Sequence, residues 1–426
     1  MHLPELVIDN DSNTRDGWFT PFRITTSASL KLLINDVANE IGSYESEQGL
    51  RRRKRKPADR MVFMMQIEAF ICDAALHHLE KPGGYLSVTR SKRKLGIRDR
   101  YRSSVMSETL PDLLDRLGQL GLLEVHIGAV NVFDPVKNKQ TTFRASALLL
   151  ARLAPLQLSI ADFSVHQEKE VIVLKQRRLN SFEAGAPLQY ADTSLTVSYR
   201  HNMNLINAWI GAADIDFLNG HGVLRLNERR LRRVFNNGSF TQGGRLFGGW
   251  WQDMKKLNRR DICIEGISAV TLDFSQAGAR IMYGIAGAAC DHDPYAVSGY
   301  EHHRDGIKRL FAAMAFSSTP IKRFPKNTKK LFRGDMKVKQ VTEAIQAHNK
   351  EISHLFYTGV GFDVIHRESE IMVEMLLTLQ ALGVVALPVH DALIVAEDRV
   401  AEVKAVMLSV FHAQTGVEGS VEVECQ

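Results

Sequence analysis

The sequence predicts an α+β protein in which a helical module ending in a β-hairpin precedes an antiparallel sheet with helices packed on it. Three observations carry that expectation. Leu387-Pro-Val-His-Asp-Ala-Leu-Ile-Val395 reads as strand, tight turn, strand, with apolar residues on both sides of His390-Asp391. Ala269-Val-Thr-Leu-Asp-Phe-Ser-Gln276 reads as an apolar strand ending at Asp273, just before a helix. Between Met61 and Ala145 the apolar spacing runs helix, helix, strand, strand.

At 426 residues the chain is long enough for two or three domains with their own cores. Its 45% hydrophobic and 24% charged residues are those of an ordinary water-soluble protein. A formal charge of +6 and a pI of about 9.0 tilt mildly towards polyanionic partners. Cys72, Cys263, Cys290 and Cys425 include no pair at metal-ligand spacing and read as free thiols of a reducing compartment. No stretch reaches the ~20 apolar residues of a membrane span. No basic-then-apolar leader opens the chain, so a cytoplasmic protein with no membrane partner is the expectation.

Residues 1–56 read as an irregular segment with a basic arm, acid-rich at first and holding one short helix around Ser29 to Ile41. Arg51-Arg-Arg-Lys-Arg-Lys56 is either a solvated charge run or an arm that touches phosphates blind to sequence. Residues 57–155 hold the first module. Met61 to Leu79 spaces its apolar residues as a core helix, and Gly83 to Thr89 reads as a turn and a short strand. After the basic Arg90-Ser-Lys-Arg-Lys94, Ser107 is the expected cap of a second helix with Leu110, Leu113, Leu114 and Leu117 on one face, stopping near Gly118 or Gly121. Leu122 to Ile127 alternates as a strand, a polar loop runs through Asp134 to Lys139, and Thr141 to Ala145 returns. That order is the winged helix-turn-helix order, and the segment from Asp112 to Leu153 resembles winged-helix modules of bacterial regulators and replication initiators. The resemblance implies DNA binding, with the helix from Ser107 in the major groove. Arg90, Lys92, Arg93, Lys94, Arg98, Arg100 and Arg102 would lie nearby, with Arg51, Arg52, Arg53 and Lys54 on the arm. A winged helix that binds protein is the alternative.

Residues 156–240 are expected to form a helical connector, with Asn202 to Leu218 helix-like. Arg225 to Phe235 is strongly basic, an arm along nucleic acid or an exposed helix face. From residue 241 onward the motifs sharpen. Gly243-Gly-Arg-Leu-Phe-Gly-Gly249 combines backbone freedom with one guanidinium, Arg245, suited to fork a phosphate. Arg304 and Lys308 are four apart in a predicted helix and share a face, with Phe316 roughly on the same side. The bland reading is an exposed basic stripe; the sharper one is a helix that holds a triphosphate and stacks a base near Phe316. Asp273 and Asp391, each at the end of its own strand, are what a two-metal phosphoryl-transfer site needs. Glu368 and Glu370, in the helix before the hairpin, either orient the site or lie on the surface, the surface being the expectation, and Cys290, His292, His302 and His303 fit no standard zinc spacing.

Taken in order, these motifs resemble the family A DNA polymerases, the bacterial DNA polymerase I group. The family's Thr-Gly-Arg-Leu turn is similar to Gly244-Arg-Leu246, and its Asp-Tyr-Ser-Gln-x-Glu-x-Arg motif to Asp273-Phe-Ser-Gln-Ala-Gly-Ala-Arg280. Its fingers pattern falls on Arg304, Lys308 and Phe316, and its Val-His-Asp-Glu on Val389-His-Asp-Ala392. The likeness covers roughly residues 240–400. It implies a compact right-hand palm with helical fingers over residues 241–426 and a thumb-like role for residues 156–240. It further implies two Mg²⁺ ions, replaceable by Mn²⁺, held by Asp273, Asp391 and the Phe274 carbonyl. Arg304, Lys308, Phe316, Gly278 and Gln276 would bind the nucleoside triphosphate, and Arg245, His390 and Arg280 the primer-template. There are departures. Gly278 replaces the glutamate that blocks a ribose 2′-hydroxyl, Phe316 its tyrosine partner, Ala312 a fingers phenylalanine, and Ala392 the acid after the second aspartate. The interval from Lys308 to Asp391 is short for the family, and no editing-exonuclease acid cluster precedes it. A DNA polymerase with its own DNA-binding module, of the plasmid or phage replication type, is the resulting expectation. The alternatives are a primase or RNA-synthesising enzyme with a relaxed sugar gate, or a catalytically inert DNA-binding initiator.

Overall fold

Two hydrophobic patterns build two units. The computed structural model describes residues 16–129, 139–166, 170–177, 185–218 and 229–424. The described residues up to Glu170 form one compact unit and those from Val171 onward a second. Both mix helices with largely antiparallel sheets, an α+β architecture.

The first unit opens with strands β1 (Gly17–Trp18) and β2 (Arg23–Thr25) and helix α1 (Ala28–Glu47). The Ser27 hydroxyl caps the Leu30 amide of α1. This helix of 20 residues corrects the expectation of mostly irregular chain. Leu30, Ile34, Val37 and Ile41 form a buried stripe at helical spacing, which the acids between them disguise. Helix α2 (Pro57–Glu80) begins on a proline, whose missing N–H costs nothing in a first turn. Its Phe70 stacks on Phe19 at 4.6 Å and meets Phe143 edge-on at 5.2 Å, the aromatic centre of this core. There follow β3 (Leu86–Val88), the short α3 (Lys92–Leu95), α4 (Leu110–Gln119), β4 (Leu123–His126), β5 (Thr141–Ala145), α5 (Ala147–Leu153) and β6 (Phe163–Val165). The sheet order is β1-β3-β5-β4, and β2 pairs with β6. Helix α4 turns Leu110, Leu113, Leu114 and Leu117 into the core, but Ser107 does not cap it. Thr109 precedes its first turn, and the Ser107 hydroxyl accepts from Gln66 Nε2 at 3.0 Å instead. Most of the expected loop from Asp134 to Lys139 lies outside the described residues.

The second unit begins with β7 (Ile172–Leu174), α6 (Ser194–Ala212) and β8 (Ile215–Phe217). The helix expected up to Leu218 therefore ends early: Ala213 is extended, and Ile215 turns into a strand that pairs with β11 (Ile262–Ile264). Between them lie β9 (Arg232–Phe235) and β10 (Gly243–Phe247). Of the basic stretch from Arg225, the first four residues lie outside the described ones, and Arg232 to Phe235 is a strand, neither arm nor helix. Arg233 within it is fully buried. The long strand β12 (Ile267–Phe274) leads to α7 (Ala277–Ala286), α8 (Arg304–Phe316), α9 (Val338–His348) and α10 (Gly361–Ala381). The hairpin β13 (Ala386–Val389) and β14 (Ala392–Ala396), helix α11 (Val400–Thr415) and β15 (Val421–Val423) complete the described chain. The main sheet runs β13-β14-β12-β11-β8, with β15 also paired to β12. Helix α10 packs on β10, α6, α7 and α11 and ties the two sheets of this unit together.

Candidate active site

Asp273 sits near the end of β12, where that strand has a neighbour on each side. The register sets Asp273 opposite Ala392 of β14 and opposite Glu422 of β15. Asp391, one residue before Ala392, is therefore brought beside it by the hairpin. The turn residue His390 holds a left-handed φ of 58°, which costs a non-glycine residue roughly 1 kcal/mol or more. The packing over-determines that turn. Trp251 Nε1 and Gln252 Nε2 each donate to the Pro388 carbonyl at 3.0 Å, and Trp251 is fully buried. A proline is admissible here because β13 is the edge of the sheet.

One carboxylate oxygen of Asp273, Oδ1, is buried without a hydrogen-bond partner. Burial, and then the charges of Asp391 and Glu424, push the Asp273 carboxyl up to about 6, against the pull of Lys308 and Lys256. Across a cleft of about 450 Å³ stand Arg304 and Lys308 from α8, with Gln276, Tyr295 and Glu424 also on its walls. The Arg304 guanidinium donates to Asp293 at 2.9 and 3.2 Å and lies 5.5 Å from the centre of the Tyr295 ring. Lys256 pairs with Glu424 at 2.5 Å. Two cations on one helix thus face a half-buried acid with one buried oxygen that lacks a hydrogen-bond partner, the charge pattern of a site for a phosphate-bearing ligand and a cation.

Several expected contacts are arranged differently. Arg245 does not offer its fork to solvent: its two nitrogens grip Glu368 at 2.6 and 2.9 Å. Glu368, expected on the surface, is buried. Nearby, Arg233 bonds Ser369, Glu370 and the Gly244 carbonyl at 2.8, 2.6 and 3.0 Å. The Arg245–Glu368 pair adjoins the hairpin, for burial and the Arg245 charge together hold the His390 imidazole below its ordinary pKa, opposed by Asp391. Arg280 is taken up by the Glu418 carbonyl at 2.8 Å and the Gln276 side chain at 3.3 Å, so it braces the turn before α7. Gly278 and Phe316 do not line the cleft; both rest on the first turn of α10. A β-carbon at Gly278 would meet Val364 at 3.7 Å, and the Phe316 ring lies against Gly361 and 5.3 Å from Phe362. Ala312, Phe274 and Gln276 lie on α8, at the end of β12 and before α7.

In the first unit the cations divide. Arg51, Arg55 and Arg116 converge on the buried Glu45 at 3.5, 2.7 and 2.9 Å. Arg90 forks Asp115 at 2.6 and 2.7 Å, Lys92 faces Asp112 at 3.5 Å, and Arg100 reaches Glu170 at 3.4 Å. Arg102 bonds the carbonyls of Lys94 and Ile97. Arg52, Arg53, Lys54, Arg93, Lys94 and Arg98 are exposed.

Sequence reasoning missed Lys256, Glu422 and Glu424. The alternation Val421-Glu-Val-Glu424 carried a strand signal, whereas nothing in the run around Lys256 pointed to the cleft.

No protein-family model matches the chain, and no curated protein matches it in sequence. Among solved structures it is similar to the POL domain of Pol1 from M. smegmatis in complex with DNA primer-template and dNTP. The identity is 12% and the TM-score 0.31, over 54% of this chain and 51% of that one. The likeness thus spans about half of that structure's length. Among the described residues no helix is long and apolar enough to cross a membrane.

Proposed function

We propose that the second unit is a template-directed nucleotidyltransferase that joins a nucleoside triphosphate to a primer end, with DNA as the favoured product. The observation that carries this is the buried, partnerless oxygen of Asp273, which shares a cleft with Arg304 and Lys308 and lies one hairpin register from Asp391.

Those residues fit a divalent metal. An orphaned carboxylate oxygen with a raised pKa is a ligand set short of a cation. Among the described residues no three His, Cys, Asp or Glu side chains gather into a closed metal site. Mg²⁺ is commonly held by one or two carboxylates together with substrate phosphates, so an open set suits it. Asp273 and Asp391, with the Phe274 carbonyl, would hold the ions, and Mn²⁺ would serve in their place. When bound, such ions lower the pKa of an attacking hydroxyl and steady a leaving pyrophosphate. The chain itself does the rest. Arg304 and Lys308 neutralise the triphosphate, and Asp293 keeps the Arg304 fork oriented until a phosphate competes for it. Arg245, fixed by Glu368 beside the hairpin, places a cation next to the primer end.

A second reading, ribonucleotide use, keeps the ground it has in the sequence: Gly278 and Phe316 stand where the resembled family has the glutamate and tyrosine of its sugar gate. For the first unit we read a winged-helix DNA-binding module. Its exposed Arg52, Arg53, Lys54, Arg93, Lys94 and Arg98 support the reading. Together the units make a replication protein of the plasmid or phage type.

A labelled primer-template incubated with Mg²⁺ or Mn²⁺ and each nucleotide class tests this. Extension should occur and should fall to background in Asp273→Asn and in Asp391→Asn. Full activity in either variant would refute the site. Absence of incorporation with every metal and nucleotide would leave the first unit's DNA binding as the function. A preference for deoxynucleotides by orders of magnitude would end the open-gate reading.

A further inference from the structure

We infer that the segment from Lys322 to Lys339 is a second nucleic-acid contact, a surface that grips a phosphate backbone without reading its bases. Eight lysines and arginines stand there against a single aspartate, Asp335. Their formal charge of +7 exceeds the +6 of the whole chain. All of these cations are exposed. Among the described residues only Lys339 meets a carboxylate, Glu343 at 3.8 Å, while Lys329 donates to the Gly334 and Met336 carbonyls at 3.1 and 2.6 Å. The first unit treats its basic run differently, turning Arg51 and Arg55 onto Glu45.

The charges are displayed from an anchored backbone. Thr328 and Phe332 are 1% and 6% exposed. The Phe332 ring lies so near Gly306 of α8 that a β-carbon there would be 2.6 Å away. His303 Nδ1 donates to the Leu331 carbonyl at 2.8 Å. Holding like charges together in this way carries a standing electrostatic cost that a polyanion removes. The partner is not the triphosphate of the cleft. Gly306 lies two residues from both Arg304 and Lys308, about 200° around the helix, so the segment packs on the opposite face of α8. An elongated polyanion that passes the cleft would meet it there. A membrane surface fits less well, because a membrane-seeking segment turns apolar side chains outward, whereas Phe324, Leu331 and Phe332 here are partly or wholly buried.

Naming the polyanion as nucleic acid rests on the polymerase reading, but the test does not. The full chain carrying Lys322→Gln, Arg323→Gln, Lys326→Gln and Arg333→Gln is titrated with a labelled single strand, without nucleotide, over a range of salt. Each lost phosphate contact lowers the slope of log affinity against log salt by about 0.7, so these four should lower it by about 3. Exchanging lysine and arginine at the same four positions should keep the slope. An unchanged slope in the glutamine variant, a loss in the exchange variant too, or a loss seen only on phosphatidylserine vesicles would each overturn the proposal. Asp273→Asn combined with the four changes should show the same fall in slope, whether or not the chain ever extends a strand.

Discussion

Asp273 is an acid that its own fold disfavours. Its carboxyl is raised from an ordinary 3.8 to about 6, first by burial and then by Asp391 and Glu424. Between those two values the folded chain holds the proton more tightly than the unfolded chain. As far as this residue is concerned, stability of the metal-free protein should therefore be greatest below pH 3.8 and be lost as pH rises through about 6. Asp273→Asn, which carries no charge, should melt above the parent at pH 7 in a chelator and show no such advantage near pH 4. Mg²⁺ at pH 7 should raise the parent more than the variant. Melting curves with and without metal read both outcomes, and a variant less stable than the parent at pH 7 would mean that Asp273 has a hydrogen-bonding role instead.

At the scale of elements, the contact that places β10 against α10 is an ion pair. Glu368 is nearly buried, so Glu368→Ala would strand the Arg245 guanidinium. Breaking a buried pair costs about 3–5 kcal/mol, and the part-exposure of Arg245 lowers the expectation to about 2 kcal/mol, read by urea denaturation. Glu368→Gln should lose less. This pair also marks where the sequence stops being legible. Strands around Asp273 and Asp391 and the helix of Arg304 and Lys308 stand out because their apolar spacing and turn residues are local signals. That Glu368 meets Arg245, separated by 123 positions, is a tertiary fact that spacing does not encode, and an isolated glutamate on a helix reads as solvated. The same holds for Arg233, whose neighbours Arg229, Arg230 and Arg232 suggested an exposed charge run while the strand buries it. The helix at Ala28–Glu47 is muted for a different reason: its four acids, Asp36, Glu40, Glu45 and Glu47, match its apolar stripe in number.

The whole molecule carries two units with separate cores. Unfolding should show two transitions by scanning calorimetry, since chains built this way depart from all-or-none behaviour. Mg²⁺ with nucleotide should raise only the transition of the unit containing Asp273, by about 2.7 kcal/mol at a hundredfold excess over Kd. A single transition, or an equal shift in both, would show that the two cores unfold as one.

The proline in the hairpin has a bearing on how these molecules treat one another. In an antiparallel strand the amide hydrogen and carbonyl of a residue point the same way. At Pro388 the outward side therefore offers no donor, and its acceptor is already occupied by Trp251 and Gln252. An incoming chain that sought to add itself to the sheet would find nothing to bond at that position. Crowded solutions should stay clear through this edge. Replacing Pro388 with valine, Trp251 with phenylalanine and Gln252 with alanine should make light scattering rise with concentration, turning a sealed border into a seed for fibrils.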